Sequence, residues 1–361
     1  MTSIIMDLWL EAMGDDREIS YSRRKQWYAI GTRYRHSAFT YHTVTRCVDL
    51  LAQRGLITHN KAPGSGPSGI QSTMRANAEL LALALPEGLH YALYGTVRLR
   101  RGGELVDYRD TDQSLRARKA TQAINEALIS IHADLPGVIR VNDAVWKAGN
   151  ASLNPMRTTL FRSFSEDWRH GGRFYGGWWV NCPKDWRRRI TIDGYATAEE
   201  DYPAHHLRMA YAQAGKTMPE GDAYTVVGFA RDIGKQAMQT LLNATGYHSA
   251  WYATARVIEC DTRNDADYRG NLSEQSLARA RELLRALKAM HHPISGLFHT
   301  GIGLRFQRLD SDMMARILLR LQRRGIVGLP VHDSVIVPEQ HAGIAYEAME
   351  EAFYHVMGMA A

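Results

Sequence analysis

The stretch Gly328-Leu-Pro-Val-His-Asp-Ser-Val-Ile-Val-Pro338 decides the fold of the C-terminal part of the chain. Valines alternate with other residues on either side of His332-Asp333, and such alternation is typical of β-strands. The stretch therefore predicts a hairpin with His332 and Asp333 at its tip. An aspartate at a hairpin tip is more often a turn residue than a ligand, so this hairpin alone indicates no chemistry.

A second hairpin is predicted upstream, over residues 189–202. Asp193 and Gly194 supply its tight turn, and its second strand ends at Asp201. Pro203 then suits the first turn of a helix. An aspartate between a strand and a helix is held rigidly with its carboxylate exposed, so Asp201 is a candidate metal ligand.

An amphipathic helix is predicted ahead of the C-terminal hairpin, in the stretch that begins with Asp310. The residues of its apolar stripe recur at helical spacing and are Met313, Met314, Ile317, Leu318 and Leu321. We interpret this stripe as core and not as a cofactor site.

The composition is that of an ordinary soluble protein with a mild positive charge. The 361 residues are 45% apolar and 23% charged, and the net charge of +6 is compatible with a polyanionic partner. Three widely spaced cysteines offer neither a disulfide framework nor a paired zinc motif. The apolar first residues lack the cationic region of a signal peptide, and the longest apolar run, residues 80–85, cannot span a bilayer. We therefore expect a cytoplasmic protein with no membrane partner.

The N-terminal segment combines a helix with a hairpin that has a flexible tip. Val44, Val48 and Leu51 follow helical spacing, and Gly55 predicts the end of that helix. Residues 61–69 are too rich in glycine and proline for a regular element, and a strand is predicted to resume after them.

This order of elements over residues 1–76 resembles a winged helix-turn-helix nucleic-acid-binding domain. The resemblance implies that the helix enters the major groove of DNA and that the wing touches backbone phosphate. Thr43, Arg46 and Gln53 would then face the groove, while Lys61 and Arg75 would flank the wing. A winged helix used for protein contacts or dimerisation is the alternative.

Residues 77–140 are interpreted as a linker or as a thumb-like helical region. A basic amphipathic helix is predicted between Leu115 and Ile131, with Arg116, Arg118 and Lys119 on its outer face. Those cations either grip a nucleic-acid duplex or form a solvated charged face.

Residues 141–361 are expected to form one core, and within them roughly residues 165–345 resemble the palm and fingers of the family A DNA polymerases and of the related single-subunit phage-type RNA polymerases. Asp201-Tyr-Pro-Ala-His-His-Leu-Arg208 is similar to motif A, Arg231-Asp-Ile-Gly-Lys235 to motif B and Val331-His-Asp-Ser334 to motif C. Gly171-Gly-Arg173 is similar to the segment that lies against the primer–template, and Gln307 stands where the family has a template-contacting glutamine. Each match is common by chance, but the ordered set is more specific.

The resemblance implies an α+β, right-hand fold with an antiparallel palm sheet and a DNA polymerase activity that works through two Mg²⁺ ions, with Mn²⁺ as a substitute. It implies that Asp201 and Asp333 bind the metal ions. Nucleoside triphosphates would contact the side chains of Arg231, Lys235, Tyr202 and His206. The DNA primer–template would contact Arg173, Gln307 and His332. So small a polymerase fused to a winged helix suggests a phage or other mobile replicon, without a proofreading exonuclease.

Three positions depart from the family pattern. His206 stands where a glutamate helps to exclude ribonucleotides, and Ser334 replaces the glutamate that follows the motif C aspartate in DNA polymerases. Gln239 and Asn243 replace the apolar and tyrosine positions of motif B. Two alternatives therefore stay open: an RNA polymerase or primase of the same fold, and a non-catalytic winged-helix replication initiator or transcription regulator.

Overall fold

The computed structural model describes residues 2–14, 17–29, 33–34, 38–62, 70–83 and 95–359. Within these ranges the protein is mixed α+β. The helices are α1 (Thr2–Met13), α2 (Lys25–Ala29), α3 (Tyr41–Gln53), α4 (Ala78–Leu81), α5 (Asp112–Ile129), α6 (Lys184–Arg187), α7 (His205–Gln213), α8 (Arg231–Asn243), α9 (Tyr247–Arg263), α10 (Glu274–Met290), α11 (Gly303–Gln322) and α12 (Ala342–Met357). The strands are β1 (Ile19–Tyr21), β2 (Ile57–Asn60), β3 (Ser72–Ala76), β4 (Val97–Arg101), β5 (Glu104–Leu105), β6 (Ala133–Asp134), β7 (Ile139–Asn142), β8 (Val145–Ala148), β9 (Ala151–Leu153), β10 (Phe161–Ser165), β11 (Gly171–Tyr175), β12 (Thr191–Ile192), β13 (Tyr195–Asp201), β14 (Leu329–Val331) and β15 (Ser334–Pro338).

The N-terminal elements form a small unit with its own core. Strands β1, β3 and β2 make an antiparallel sheet in that order, and α1 and α3 pack against it. The predicted helical stripe is confirmed, because Val44, Val48 and Leu51 are buried in this core. Gly55 has φ +70°, a conformation that suits glycine just past a helix end, as predicted. Residues 63–69 of the expected wing lie outside the described residues.

A five-stranded antiparallel sheet organises the C-terminal half, with the strand order β14-β15-β13-β12-β6. Both predicted hairpins are confirmed within it. Val331 pairs with Ser334 around the two-residue loop of the C-terminal hairpin. In the upstream hairpin Asp193 and Gly194 have φ +50° and +83°, the positive values that a type I′ turn requires at both central positions.

Helices α11 and α12 pack on each other, and α12 also contacts β13 and β15. The predicted stripe of α11 is confirmed as core, since its five apolar residues are all buried. Helix α11 begins at Gly303, so Asp310 lies inside it and not at its start. Helix α7 begins at His205, later than the expected Pro203, because Ala204 takes a left-handed φ of +50° that interrupts the helical conformation.

Helix α5 packs against α11 and β10, so the region after residue 112 belongs to the main body. Ile124 and Leu128 of this helix enter the large core, and β6 joins the five-stranded sheet. The expected boundary at residue 140 therefore falls inside a packed unit. Arg116 and Lys119 are exposed, as predicted for the outer face of a basic helix.

Helices α8, α9 and α10 pack on one another beside this body. Strands β11, β10, β4 and β5 form a further sheet, in which β10 and β4 are parallel, and β7, β8 and β9 form a three-stranded antiparallel one. In the described ranges, no helix combines the length and the apolar character needed to cross a membrane.

Candidate active site

The sheet brings Asp201 and Asp333 together from distant parts of the sequence. Asp201 is the last residue of β13, and it lies directly opposite Ser334, the first residue of β15. Opposed residues of an antiparallel pair have Cα atoms roughly 4.5–5.5 Å apart. Asp333 precedes Ser334 in the hairpin loop, where His332 takes a left-handed φ of +57°. The strained tip holds Asp333 beside the end of β13.

The two carboxylates repel each other and are not neutralised by the protein. Desolvation raises the pKa of the Asp201 carboxyl, and the negative charge of Asp333 raises it further. Among the residues that the structure describes, no cationic side chain forms an ion pair with either aspartate. A hard divalent cation would remove this repulsion, and Mg²⁺ is commonly held by one or two carboxylates together with substrate phosphates.

The protein alone supplies two carboxylates here and no larger ligand set. In the described ranges, no three His, Cys, Asp or Glu side chains converge on a point where a metal could bind. The donor set therefore fits a cation that is shared with a phosphorylated substrate and does not fit a closed structural site.

Both aspartates line one cavity of about 510 Å³, which we call the aspartate cavity. Its charged lining residues are the acids Glu199, Asp201 and Asp333 and the bases Lys184, Arg187 and Arg188, and we call these three bases the cationic wall. Arg187 donates two hydrogen bonds to the Glu199 carboxylate, at 2.9 and 3.1 Å. The Ser334 hydroxyl donates a third, at 2.7 Å. Glu199 is thus neutralised inside the protein, while Asp201 and Asp333 are not.

Arg173 is fixed at the site by a buried carboxylate. Its Nε donates to Oδ2 of Asp310 at 3.0 Å, and the Asp310 side chain is 1% exposed. His205 Nε2 lies 3.4 Å from the other carboxylate oxygen. Burial alone would raise the pKa of Asp310, but His205 and Arg173 hold it below its usual value. Asp310 therefore stays ionised and anchors the guanidinium group of β11.

Two histidines beside Arg173 are neutral at neutral pH. Burial, followed by the charge of Arg173, lowers the pKa of His206 to about 4. The same two causes lower the pKa of His332. The His332 ring also meets Tyr175 edge to face, with centroids 6.3 Å apart. The predicted contact residues Arg173, His206 and His332 are thus brought together next to the aspartates.

Arg231 and Lys235 project from the first turns of α8 and are both exposed, but neither lines the aspartate cavity. Arg231 pairs with Asp222 at 2.7 Å and lies over the ring of Tyr224, 5.4 Å from its centroid. Burial raises the pKa of Tyr224, and the charges of Asp222 and Asp333 add to this rise against the opposing charge of Arg231. Tyr224 thus lies within electrostatic range of Asp333.

Tyr202, a predicted nucleotide contact, is buried behind the site. Its side chain is 3% exposed, its hydroxyl donates to the Met349 carbonyl, and its ring stacks on His205 with a centroid distance of 4.2 Å. Tyr202 is therefore a core residue that backs the site. Gln307 is half-buried on α11, one turn before Asp310, and lies outside the aspartate cavity.

On the N-terminal unit, Thr43, Arg46 and Gln53 are exposed on α3, as predicted. Thr43 also donates its backbone N–H to the Thr40 hydroxyl, which caps this helix. Lys61 does not extend freely beside the expected wing, because its Nζ pairs with Asp49 at 3.0 Å.

Asp310 and Glu199 were missed at the sequence level. The burial of Asp310 could have been predicted, because this residue precedes Met313 and Met314 by three and four residues. It therefore falls on the buried stripe of α11. A carboxylate on such a stripe requires a charged partner. Glu199 had no comparable signal, since its partners Arg187 and Ser334 become neighbours through strand pairing.

The two unneutralised carboxylates and the cationic wall line one cavity, and Arg173 is held by its buried anchor Asp310 outside that lining. Such a site can hold a divalent cation together with phosphate groups. The sequence matches no protein-family model, and no curated protein shows a significant match to it.

Proposed function

We propose that this protein is a template-directed nucleotide polymerase, with DNA synthesis as the favoured activity. The observation that carries the proposal is the pair Asp201 and Asp333. Asp201 ends β13, Asp333 lies in the adjoining loop between β14 and β15, both line one cavity, and neither forms an ion pair with a described cationic side chain. Phosphoryl transfer depends mainly on positioning and charge stabilisation, and this pair is suited to both.

The resemblance to family A polymerases assigns the remaining parts of the proposal. The five-stranded sheet with α11 and α12 would be the palm, and α8 to α10 would be the fingers. The N-terminal unit would be a winged helix that docks on duplex DNA through α3. The ordered motifs support these assignments, and the packing of each unit is compatible with them.

Asp201 and Asp333 would hold Mg²⁺, or Mn²⁺ in its place, together with substrate phosphate oxygens. When bound, the metal ions would neutralise the charge that develops on the attacking and leaving oxygens. Arg231 and Lys235, one helical turn apart, would bind the triphosphate. Arg173 would donate hydrogen bonds to the primer–template while Asp310 holds it in place. His332, being neutral, would contact the primer end without adding charge.

The second part of the proposal concerns the sugar of the nucleotide that is transferred. Ribonucleotide transfer is the alternative, and Ser334 favours it, because the carboxylate expected there in DNA polymerases is replaced by a hydroxyl bonded to Glu199. The Gly171-Gly-Arg173 segment and Gln307 favour deoxynucleotide transfer through the resemblance that they carry.

Extension of a labelled primer on a longer template tests the activity. The wild-type protein is incubated with Mg²⁺ and either deoxynucleoside or ribonucleoside triphosphates, beside Asp201→Ala and Asp333→Ala. We expect template-dependent extension that falls by about a thousand-fold or more in both variants, which corresponds to several kcal/mol of transition-state stabilisation. Asp267→Ala is the matched control, because this aspartate is 98% exposed and does not line the cavity.

The outcomes separate the competing functions. Extension with ribonucleotides alone would replace the DNA polymerase proposal with an RNA polymerase or primase. Duplex binding without extension of any primer would favour a non-catalytic initiator or regulator. Extension that survives in both aspartate variants would overturn the site assignment.

A further inference from the structure

The proposed polymerase chemistry does not use the cationic wall of the aspartate cavity. Lys184 and Arg188 are exposed, whereas Arg187 between them is bound to Glu199. Among the described residues, neither Lys184 nor Arg188 forms an ion pair. Both nevertheless line the same cavity as Asp201 and Asp333. The cavity lining thus includes two exposed cations that form no ion pair with the described residues.

The direction of phosphoryl transfer assigns the two sides of the aspartate pair. The attacking oxygen and the leaving oxygen lie roughly in line on opposite sides of the phosphorus. Arg231 and Lys235, which would bind the triphosphate, do not line the cavity. The leaving pyrophosphate therefore belongs on the α8 side, and the attacking 3′-hydroxyl belongs on the cavity side.

We propose that Lys184 and Arg188 bind backbone phosphates of the primer strand next to its 3′ end. The inference rests on the proposed polymerase function and adds a binding subsite to it. An arginine can take a phosphate in a bidentate manner, and a lysine acts as a point charge. Glu199 keeps Arg187 in the wall without leaving a free carboxylate that would repel the strand.

A triphosphate tail offers the same phosphate chemistry, so the test must separate the two ligands. The double variant Lys184→Ala/Arg188→Ala removes two exposed side chains, and no described hydrogen bond or ion pair is lost with them. Arg285→Ala/Lys288→Ala is the matched control, because it removes the same two charges from an exposed face of α10. Affinity for a fluorescent primer–template is measured over a series of KCl concentrations, and KM for the nucleotide is measured by extension.

We expect the cavity variant to bind primer–template roughly ten-fold more weakly, and the slope of log affinity against log salt to decrease in magnitude by about 2, that is, by about 1 for each lost contact. Nucleotide KM should remain unchanged, and the control should match the wild type. Methylphosphonate linkages at the 3′ end of the primer, which remove the phosphate charge, should weaken binding to the wild type but not weaken binding to the variant further.

The results distinguish failure of the subsite from failure of the function. A wild type that extends primers, paired with a cavity variant of unchanged DNA affinity and salt slope, would overturn the subsite alone. A raised nucleotide KM with unchanged DNA affinity would mean that Lys184 and Arg188 bind the triphosphate, and it would also overturn the inference. A wild type that extends no primer would overturn both proposals.

Discussion

Asp310 is the residue on which the position of Arg173 depends. Asp310→Asn removes the charge that Arg173 and His205 share, and we expect about 3–5 kcal/mol of destabilisation, the usual cost of breaking a buried pair from one side. In protein that remains folded, primer–template affinity should fall because the guanidinium loses its anchor. Urea denaturation measures the first effect, and fluorescence anisotropy measures the second.

A double-mutant cycle shows whether Asp310 acts through Arg173. If it does, Asp310→Asn and Arg173→Ala together should weaken primer binding no more than Arg173→Ala alone. Additive losses would contradict a positioning role and leave Asp310 as a structural residue. The cycle measures DNA affinity and not stability. A general loss of packing would therefore not produce the non-additive losses of affinity that we expect.

Gly234 sets how closely α8 approaches the loop before it. A Cβ atom at this position would lie 2.0 Å from the Tyr224 carbonyl oxygen, so Gly234→Ala must displace one of the two segments. We expect about 1–3 kcal/mol of destabilisation and a raised nucleotide KM, because Arg231 lies over Tyr224. Gly343→Ala in α12 is the control, since open space surrounds that position and helix propensity favours alanine. Equal stability of the two variants would contradict the close contact.

At the level of elements, local sequence patterns predicted the helices and strands but not the long-range contacts of individual side chains. The two hairpins followed from alternation and from Asp193-Gly194, because strand period and turn conformation are properties of neighbouring residues. The contacts of Tyr202 with Met349 and of Lys61 with Asp49 join segments far apart in sequence. No local period specifies such partners, so the burial of Tyr202 and the ion pair of Lys61 could not be predicted from the sequence.

Helix α3 offers the test of duplex docking by the N-terminal unit. Arg46→Ala should weaken binding to blunt duplex DNA and reduce the magnitude of the salt slope by about 1, because one exposed cation is lost from the face predicted to meet DNA. The rate of primer extension at saturating template should be unchanged. Arg285→Ala on α10 is the comparison, and a similar loss there would assign the effect to net charge and not to α3.

For the molecule as a whole, placing two carboxylates side by side suits metal binding but lowers the stability of the fold. The carboxyl pKa of Asp201 is higher in the folded protein than in an unfolded chain, so the folded state holds this proton more tightly. The contribution of Asp201 to stability is therefore most favourable below the unfolded pKa, and it declines as the pH rises through the folded pKa. Desolvation and the negative charge of Asp333 both disfavour the ionised form of Asp201, so ionising this carboxyl weakens the fold.

Asp201→Asn should therefore raise the melting temperature in EDTA at pH 7, and this gain should shrink as the pH falls toward 4. Mg²⁺ should raise the melting temperature of the wild type, because a ligand that binds only the folded state stabilises it by mass action. The variant should gain less from Mg²⁺, since one of the two carboxylates is gone. Differential scanning fluorimetry with Asp267→Asn as the exposed control measures both effects. A variant with a lower melting temperature than the wild type in EDTA would mean that Asp201 is a structural residue. If Asp201 binds a cation, the variant must instead be more stable without metal and must gain less stability from Mg²⁺.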